Sequence, residues 1–180
     1  MKAYCRGGLV LATHTDEQTV AASAYGEGVS IVTLPNGTLV EIGQPLPALD
    51  LATRRTVASA EIDVRRDAIL TAGYVHDFGG SAGVRTLDNR NEKDAINWLG
   101  LKGLVDAKIA DGNGGDLVAL RDASNTNFTA SAATVADALL AMAAWRASVL
   151  AVSWSLKDAV ASAADEAALD LIDLDAGWPA

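Results

Sequence analysis

Residues 131–163 read SAATVADALLAMAAWRASVLAVSWSLKDAVASA, and this stretch decides the fold. Large apolar residues recur in it every seven residues, and other apolar residues lie about midway between most of them. The spacing predicts one continuous helix from Ser131 to about Ala163, with an apolar seam packed against other helices. The seam and a terminal indole form a predicted structural or interface set: Val135, Leu139, Met142, Trp145, Val149, Val152, Leu156 and Trp178.

This seam is typical of two arrangements. A helix inside a monomeric bundle buries such a row of side chains, and so does a helix of an oligomeric coiled coil. The many alanines allow neighbouring backbones to approach closely in both. Arg146 and Ser153 fall near the seam and make it imperfect, and the spacing fits either arrangement.

Composition and charge limit the classes of partner. The sequence is 50% apolar and carries a net charge of −9. Nucleic acids and anionic membrane surfaces are bound by clustered Lys and Arg, so we expect neither as a partner. No stretch of about 18 apolar residues is free of charge, which argues against membrane insertion.

The N-terminal sequence and the cysteine content indicate where the protein is made. Arg6, Gly7 and Gly8 break the first apolar run, which is too short for a secretory signal. Cys5 is the single cysteine and cannot form an internal disulfide, so the fold does not depend on an oxidising compartment. We therefore expect synthesis in the cytoplasm.

The pattern along the chain predicts an α+β fold in three parts. A small β-rich attachment unit occupies residues 1–45, and a linker with a connecting helix occupies residues 46–72. A mainly helical domain follows at residues 73–180, with two short β-hairpins and the long Ala-rich helix.

Turn residues predict the elements of the first part. One hairpin joins AYC to LVLAT through Arg6–Gly8, and a second joins VSIVTL to TLVEI through Pro35–Gly37. A short helix is expected from Asp16 to Gly26 or Gly28. The prolines of the segment 43–50, GQPLPALD, suppress helix and mark the boundary.

Caps and glycines predict the elements of the middle of the chain. Asp50 is expected to cap a helix that reaches about Thr71, and Asp88 or Asn89 to open the next long helix. Between them, Gly79 and Gly80 turn a hairpin. Another hairpin turns at residues 124–127.

Two arginine pairs carry the only concentrated positive charge. They are a predicted partner-facing set on the first long helix: Arg54, Arg55, Arg65 and Arg66. An acidic partner surface could meet them. Pairing within the helix to Asp50, Glu61 or Asp63 is the favoured alternative.

The C-terminal tail predicts a short final helix. Asp165 and Glu166 begin it, and its apolar residues include Leu171. Gly177 is expected to end it in the left-handed conformation. Trp178 then folds back as an apolar plug, or serves as a hook for a partner.

The residue types of common active sites do not form a recognisable set. His14 and His76 lie in different parts, and adjacent strand residues such as His76 and Asp77 point to opposite faces. Cys5 has no histidine at a known nucleophile spacing. The segment 111–122 matches a calcium loop weakly, because Gly115 and Asp116 depart from the pattern. We predict no catalytic residue, no metal site and no cofactor.

The C-terminal two-thirds of the chain resembles an uncharacterised helical domain of tailed bacteriophages and prophages. The resemblance covers about residues 61–179 and rests on four stretches of sequence: TLDNRNEKDAINWLGL, VALRDASNTNFTASAATVADALLAMAAW, SWSLKDAV and AALDLIDLDAGWP. Residues 1–45 more loosely resemble the short β-unit that starts many tail-fibre-associated proteins. The resemblance brings no catalytic residues with it.

The resemblance implies a role in the virion tail. The expected function is a structural component of a tail tip or tail fibre that attaches tail parts to one another or to the host, and not an enzyme. Other tail proteins are the implied partners, together with copies of the same chain in a homo-oligomer such as a trimer. A chaperone that binds the fibre during folding is the alternative.

Overall fold

The structure is a computed structural model that describes residues 1–7, 9–15, 20–34, 38–44 and 49–179. Its strands are β1 (Lys2–Arg6), β2 (Leu9–His14), β3 (Ser30–Thr33), β4 (Tyr74–Asp77), β5 (Val84–Leu87), β6 (Leu117–Arg121) and β7 (Asn127–Ser131). Its helices are α1 (Leu51–Ala72), α2 (Glu92–Ala110), α3 (Ala132–Ser162) and α4 (Glu166–Asp170). The predicted α+β class, with early strands, short hairpins and one long helix, is confirmed.

The chain divides into two compact units. The first comprises residues 1–61 and 157–174, and the second comprises residues 62–156 and 175–180. Both are assembled from separate stretches of sequence.

The first unit contains a three-stranded antiparallel sheet in the order β2-β1-β3. The hairpin of β1 and β2 is confirmed, with an irregular register between Tyr4 and Cys5. Ala3, Cys5, Val10 and Leu34 form its buried cluster. Burial of these side chains from water stabilises the sheet.

The predicted pairing of β3 with residues 38–42 is wrong. β3 instead pairs with β1, where Ala3 lies opposite Val32. Residues 38–42 form no strand, and Leu39 is 91% exposed. Pairing with β1 packs Val32 of β3 against the buried cluster, and Val40 packs against the same cluster without belonging to a strand. The predicted turn, Pro35–Gly37, lies outside the described residues.

The short helix predicted for residues 16–26 is only partly within the described residues. Asp16–Thr19 lie outside them, and the remainder holds a single 3-10 turn at Ala22–Tyr25. The turn ends at Gly26, which has a φ of 98°. The segment 45–48 of the predicted boundary also lies outside the described residues.

The cap predicted for α1 is confirmed. Asp50 Oδ1 accepts a hydrogen bond from the backbone N–H of Thr53 at 2.7 Å, which satisfies one of the free donors of the first turn. Hydrogen bonds from the backbone and the side chain of Thr53 favour the ionised carboxylate and lower the pKa of Asp50. The helix begins at Leu51, directly after the cap.

The second unit has two hairpins and a helical core. β4 pairs with β5 and β6 pairs with β7, as the turn residues predict. Their inward side chains join one apolar cluster with α2 and α3, which includes Phe78, Leu87, Val105, Phe128 and Val135. The rings of Phe78 and Phe128 meet edge to face, with centroids 4.9 Å apart.

Helix α2 begins later than Asp88 or Asn89. Its cap is Asn91, whose side-chain oxygen accepts from the backbone N–H groups of Lys93 and Asp94. Asp88 is engaged by Arg90 instead, and Asn89 by another group described below. A capping side chain must be free to turn back onto the helix, and only Asn91 is.

Helix α3 has the predicted extent. Ser131 precedes it, and its hydroxyl oxygen accepts from the backbone N–H of Thr134 at 3.2 Å. By length and apolar composition alone, α3 could cross a membrane, a property that it shares with the core helices of many water-soluble proteins. The absence of membrane insertion stays a prediction.

The final helix is shorter than predicted. It begins after Asp165, as expected, but ends at Asp170, so Gly177 does not terminate it. Gly177 does have positive φ, at 80°. Leu171 is 86% exposed and is not part of a buried face, because the helix has already ended where the apolar spacing would have continued.

Candidate functional site

The second unit carries an open groove between α2 and α3. Its volume is about 350 Å³. The α2 wall includes Trp98 and Leu99, and the α3 wall includes Leu139, Leu140 and Met142. We call this the α2–α3 groove. A small concave site with mostly apolar walls is the usual form of a binding site.

Helix α2 makes this groove because it is apolar on two faces. Trp98, Leu101 and Val105 face the core cluster. The structure describes every residue of α2, and Val105 is the only one that is fully buried. Leu99 points outward and is 73% exposed; Leu140 on the opposite wall is 63% exposed. Large apolar side chains left in water on two adjacent helices favour a contact with another molecule.

The indole of Trp98 is held in place by a hydrogen bond. Its Nε1 donates to the backbone carbonyl oxygen of Asp88 at 2.6 Å. The ring is half-buried and lies between the core cluster and the groove. One edge of the groove is therefore fixed before any ligand binds.

One end of the groove is polar. Asn89 is 7% exposed, and its Oδ1 accepts from the guanidinium Nη1 of Arg146 at 2.7 Å. The Asn89 Nδ2 atom is buried and has no hydrogen-bond partner among the described residues. Leaving a buried donor unsatisfied costs about 1–3 kcal/mol.

Two cations line the groove. Lys102 is neutralised by Asp106, with Nζ 2.6 Å from both carboxylate oxygens. Arg146 is exposed and forms no ion pair with any described residue. The free positive charge of the groove therefore lies at the end where Asn89 is unsatisfied.

The predicted seam residues lie on α3 as follows. Val135, Leu139, Met142 and Val149 are buried, and Trp145, Val152 and Leu156 are half-buried. Val135, Leu139 and Met142 belong to the core cluster of the second unit. Over this stretch, the seam packs within the chain.

The two tryptophans of the predicted set are both half-buried. Trp145 packs on Tyr74 with ring centroids 5.6 Å apart. Trp178 follows Gly177, which lies close to Val152 of α3. A Cβ atom added to Gly177 would be 3.9 Å from Val152 Cγ1. Gly177 therefore lies against α3, and the plug interpretation of Trp178 stays a prediction.

The arginine pairs have partners within their own units. In the first unit, Arg54 pairs with Glu166 and Asp170 of α4, and Arg55 donates to the carbonyl oxygen of Ala163. The predicted pairing within the helix does not occur for these two residues.

In the second unit, Arg65 pairs with Asp175, and Arg66 pairs with Asp63 and Asp67. Only the contact of Arg66 with Asp63 is one of the pairings predicted within α1. Pairing with Asp67 and Asp63 raises the pKa of Arg66. The carboxylates that pair with Arg54 and Arg65 belong to the C-terminal segment 166–175. Sequence spacing does not reveal these pairs, because more than 100 residues separate the partners.

The two histidines and the cysteine each contact different groups among the described residues. His14 hydrogen-bonds through Nε2 to the hydroxyl of Tyr25, and His76 packs edge to face on Phe78. Asp77 accepts from the backbone N–H of Gly79 rather than from His76. Burial raises the pKa of the Cys5 thiol, which opposes thiolate formation.

The loop tested as a calcium site has other contacts. Asp116 pairs with Lys108 at 2.7 Å, and Asp122 pairs with Arg85 at 3.0 Å. Within the described ranges, no group of three or more His, Cys, Asp or Glu side chains is placed to hold a metal ion.

Sequence reasoning finds the apolar residues of α2 but misses the polar end of the groove. Asn89 reads as a helix cap, and Arg146 as an imperfection of the seam. Their contact joins residues 57 positions apart. The available signal is Arg146 itself, a charge in a run of apolar residues that needs a partner.

Comparison with known proteins places the chain in a family. No curated protein and no solved structure matches it significantly. A family model described as a domain of unknown function, DUF4376, matches residues 53–173. Because this match covers more than half of the chain, the protein belongs to the DUF4376 family.

Proposed function

We propose that the chain is a structural component of a bacteriophage tail tip or tail fibre, which attaches tail parts to one another or to the host. The sequence resemblance to domains encoded among tail genes motivates this role. The proposed partners are other tail proteins and further copies of the chain, and the proposed location is the virion tail.

The observation that carries an assembly role is the apolar surface formed by Ile96, Leu99 and Leu140. Each of these side chains is more than half exposed, on a chain with a net charge of −9. Contact with a neighbouring protein would remove this surface from water, at about 25 cal/mol per Å² of apolar area. An enzyme would need convergent reactive groups, and we propose that the chain is not one.

Purified virions test the proposal directly. Quantitative mass spectrometry of particles should find the chain at a fixed, stoichiometric copy number. Ile96→Glu should reduce its incorporation, since a carboxylate cannot be buried in an apolar contact without a large cost. The matched control is Leu39→Glu, which changes another exposed apolar residue outside this surface.

An assembly chaperone is the second candidate, favoured by the open groove and the unpaired charge of Arg146 at one end of it. A chaperone binds the fibre during folding and leaves it. Fibres that misfold without the chain, together with mature particles that lack it, would identify the chaperone role. Particles that neither contain nor require it would contradict both candidates.

A further inference from the structure

We propose that the α2–α3 groove binds a short peptide segment of a partner protein, in which apolar side chains are followed by a carboxylate. The apolar side chains lie on Trp98, Leu99 and Leu140. The carboxylate pairs with Arg146, which Asn89 orients. This inference does not depend on a place in the virion.

The orientation of the Asn89 amide is fixed by its neighbour. A guanidinium group only donates hydrogen bonds, so the Asn89 atom that faces Arg146 at 2.7 Å must be the oxygen. The amide nitrogen is buried, so Asn89 acts on a bound segment through Arg146, which it orients.

The polar end of the groove selects a negative group. The N–H groups of Arg146 that do not face Asn89 are all donors, and Arg146 has a positive charge that no described carboxylate balances. A carbonyl oxygen would accept from these groups without balancing the charge. A carboxylate does both through charge-assisted hydrogen bonds, which are about twice as strong as neutral ones.

The size of the groove sets the length of the segment. Its lining residues extend from Ala95 to Lys102 on α2 and from Leu139 to Arg146 on α3. Seven residues of helix rise about 10 Å, which about three residues of extended peptide span. Two or three apolar side chains and one carboxylate therefore fill the site.

The test is a binding measurement with the full chain. The probe is fluorescein-labelled Ala-Leu-Leu-Asp with an amidated C terminus, followed by fluorescence anisotropy. We expect saturable binding that weakens with salt. The matched Ala-Leu-Leu-Asn peptide should bind at least about tenfold more weakly, because it cannot pair with Arg146.

Asn89→Asp separates binding from folding. It keeps an oxygen facing Arg146 but adds a carboxylate that balances the charge of Arg146, so the Asp peptide should lose at least about tenfold in affinity. Asn97→Asp makes the same chemical change at an exposed position on α2 outside the groove and should bind normally. Thermal melting of both variants shows whether each is folded.

Arg146→Gln provides a second variant if Asn89→Asp does not fold. Glutamine retains a donor for Asn89 and removes the charge, so the two peptides should bind with similar affinity. No saturable binding below about 1 mM, equal binding of the two peptides by the natural chain, or undiminished binding by the folded variants would overturn the inference. Stronger competition by dodecanoate than by the unlabelled peptide would also overturn it, in favour of a lipid.

Discussion

At the turn between β6 and β7, one carboxylate organises the backbone. Asp122 Oδ1 accepts from the backbone N–H groups of Thr126 at 2.9 Å and Ser124 at 3.0 Å, and Oδ2 accepts from Arg85. The bond from Thr126, with those from Arg85 and Ser124, holds the pKa of Asp122 below its ordinary value. The ionised form of Asp122 therefore stabilises the hairpin.

This lowered pKa predicts a pH dependence. Because folding lowers the pKa of Asp122, the unfolded chain binds this proton more readily. The stabilisation is complete at pH values above the unfolded pKa, about 3.9, and is lost as the pH falls through the lower folded value. Asp122→Asn should thus lower the melting temperature at neutral pH and have less effect below pH 4.

Melting curves of Asp122→Asn and the natural protein across this pH range provide the measurement. Asp106→Asn is the control, because Asp106 forms an exposed pair with Lys102 in α2. Exposed pairs of this kind contribute little. If Asp122→Asn lowered the melting temperature by the same amount at all pH values, the prediction would be contradicted.

Gly73 is required by its backbone conformation and its surroundings. It has a φ of 87°, and an added Cβ would lie 2.6 Å from the carbonyl oxygen of Leu87. Gly73→Ala should therefore destabilise the second unit by about 2–3 kcal/mol, measured by chemical denaturation. Gly103→Ala is the opposite case, because a Cβ atom added to Gly103 in α2 would have no neighbouring atom within 4 Å. It should be stabilising, by about 0.5–1 kcal/mol.

Among the elements, helix α3 gives the clearest test of burial. Val149 is completely buried in it, so Val149→Asp would place an unpaired carboxylate in an apolar contact. We expect a loss of at least about 3 kcal/mol in the free energy of unfolding. The same substitution at Val64, which is exposed on α1, should cost less than about 0.5 kcal/mol. Equal losses would show that Val149 is not packed as described.

The elements that sequence predicts are those whose signals are local. The period of α3 and the cap of α1 by Asp50 are local, and both are present in the structure. The partner of β3 is not local, because β3 pairs with β1, a strand distant in sequence, rather than with the neighbouring residues 38–42. The polar end of the groove is likewise formed by distant residues, so Asn89 and Arg146 could be recognised only once the fold was known.

For the molecule as a whole, the balance of charge and exposed apolar surface predicts self-association that depends on salt. We expect the chain to sediment as a homo-oligomer at neutral pH. Each copy carries a net charge of −9, so low ionic strength should weaken association and added salt should strengthen it.

Ile96→Lys should shift the sedimentation of the chain toward the monomer, because it places a charge within the apolar surface of α2. Leu39→Lys makes the same change in charge in the first unit and should leave association unchanged. A monomer at all salt concentrations, or equal effects of the two substitutions, would contradict the prediction.

Ser153 shows that α3 has not been optimised for stability alone. Its side chain is completely buried, and its hydroxyl oxygen has no hydrogen-bond partner among the described residues. A methyl group at this position would remove the unsatisfied oxygen without opening a large void. The native sequence thus tolerates a small defect in its longest helix, which leaves room for stabilising variation at little risk to the fold.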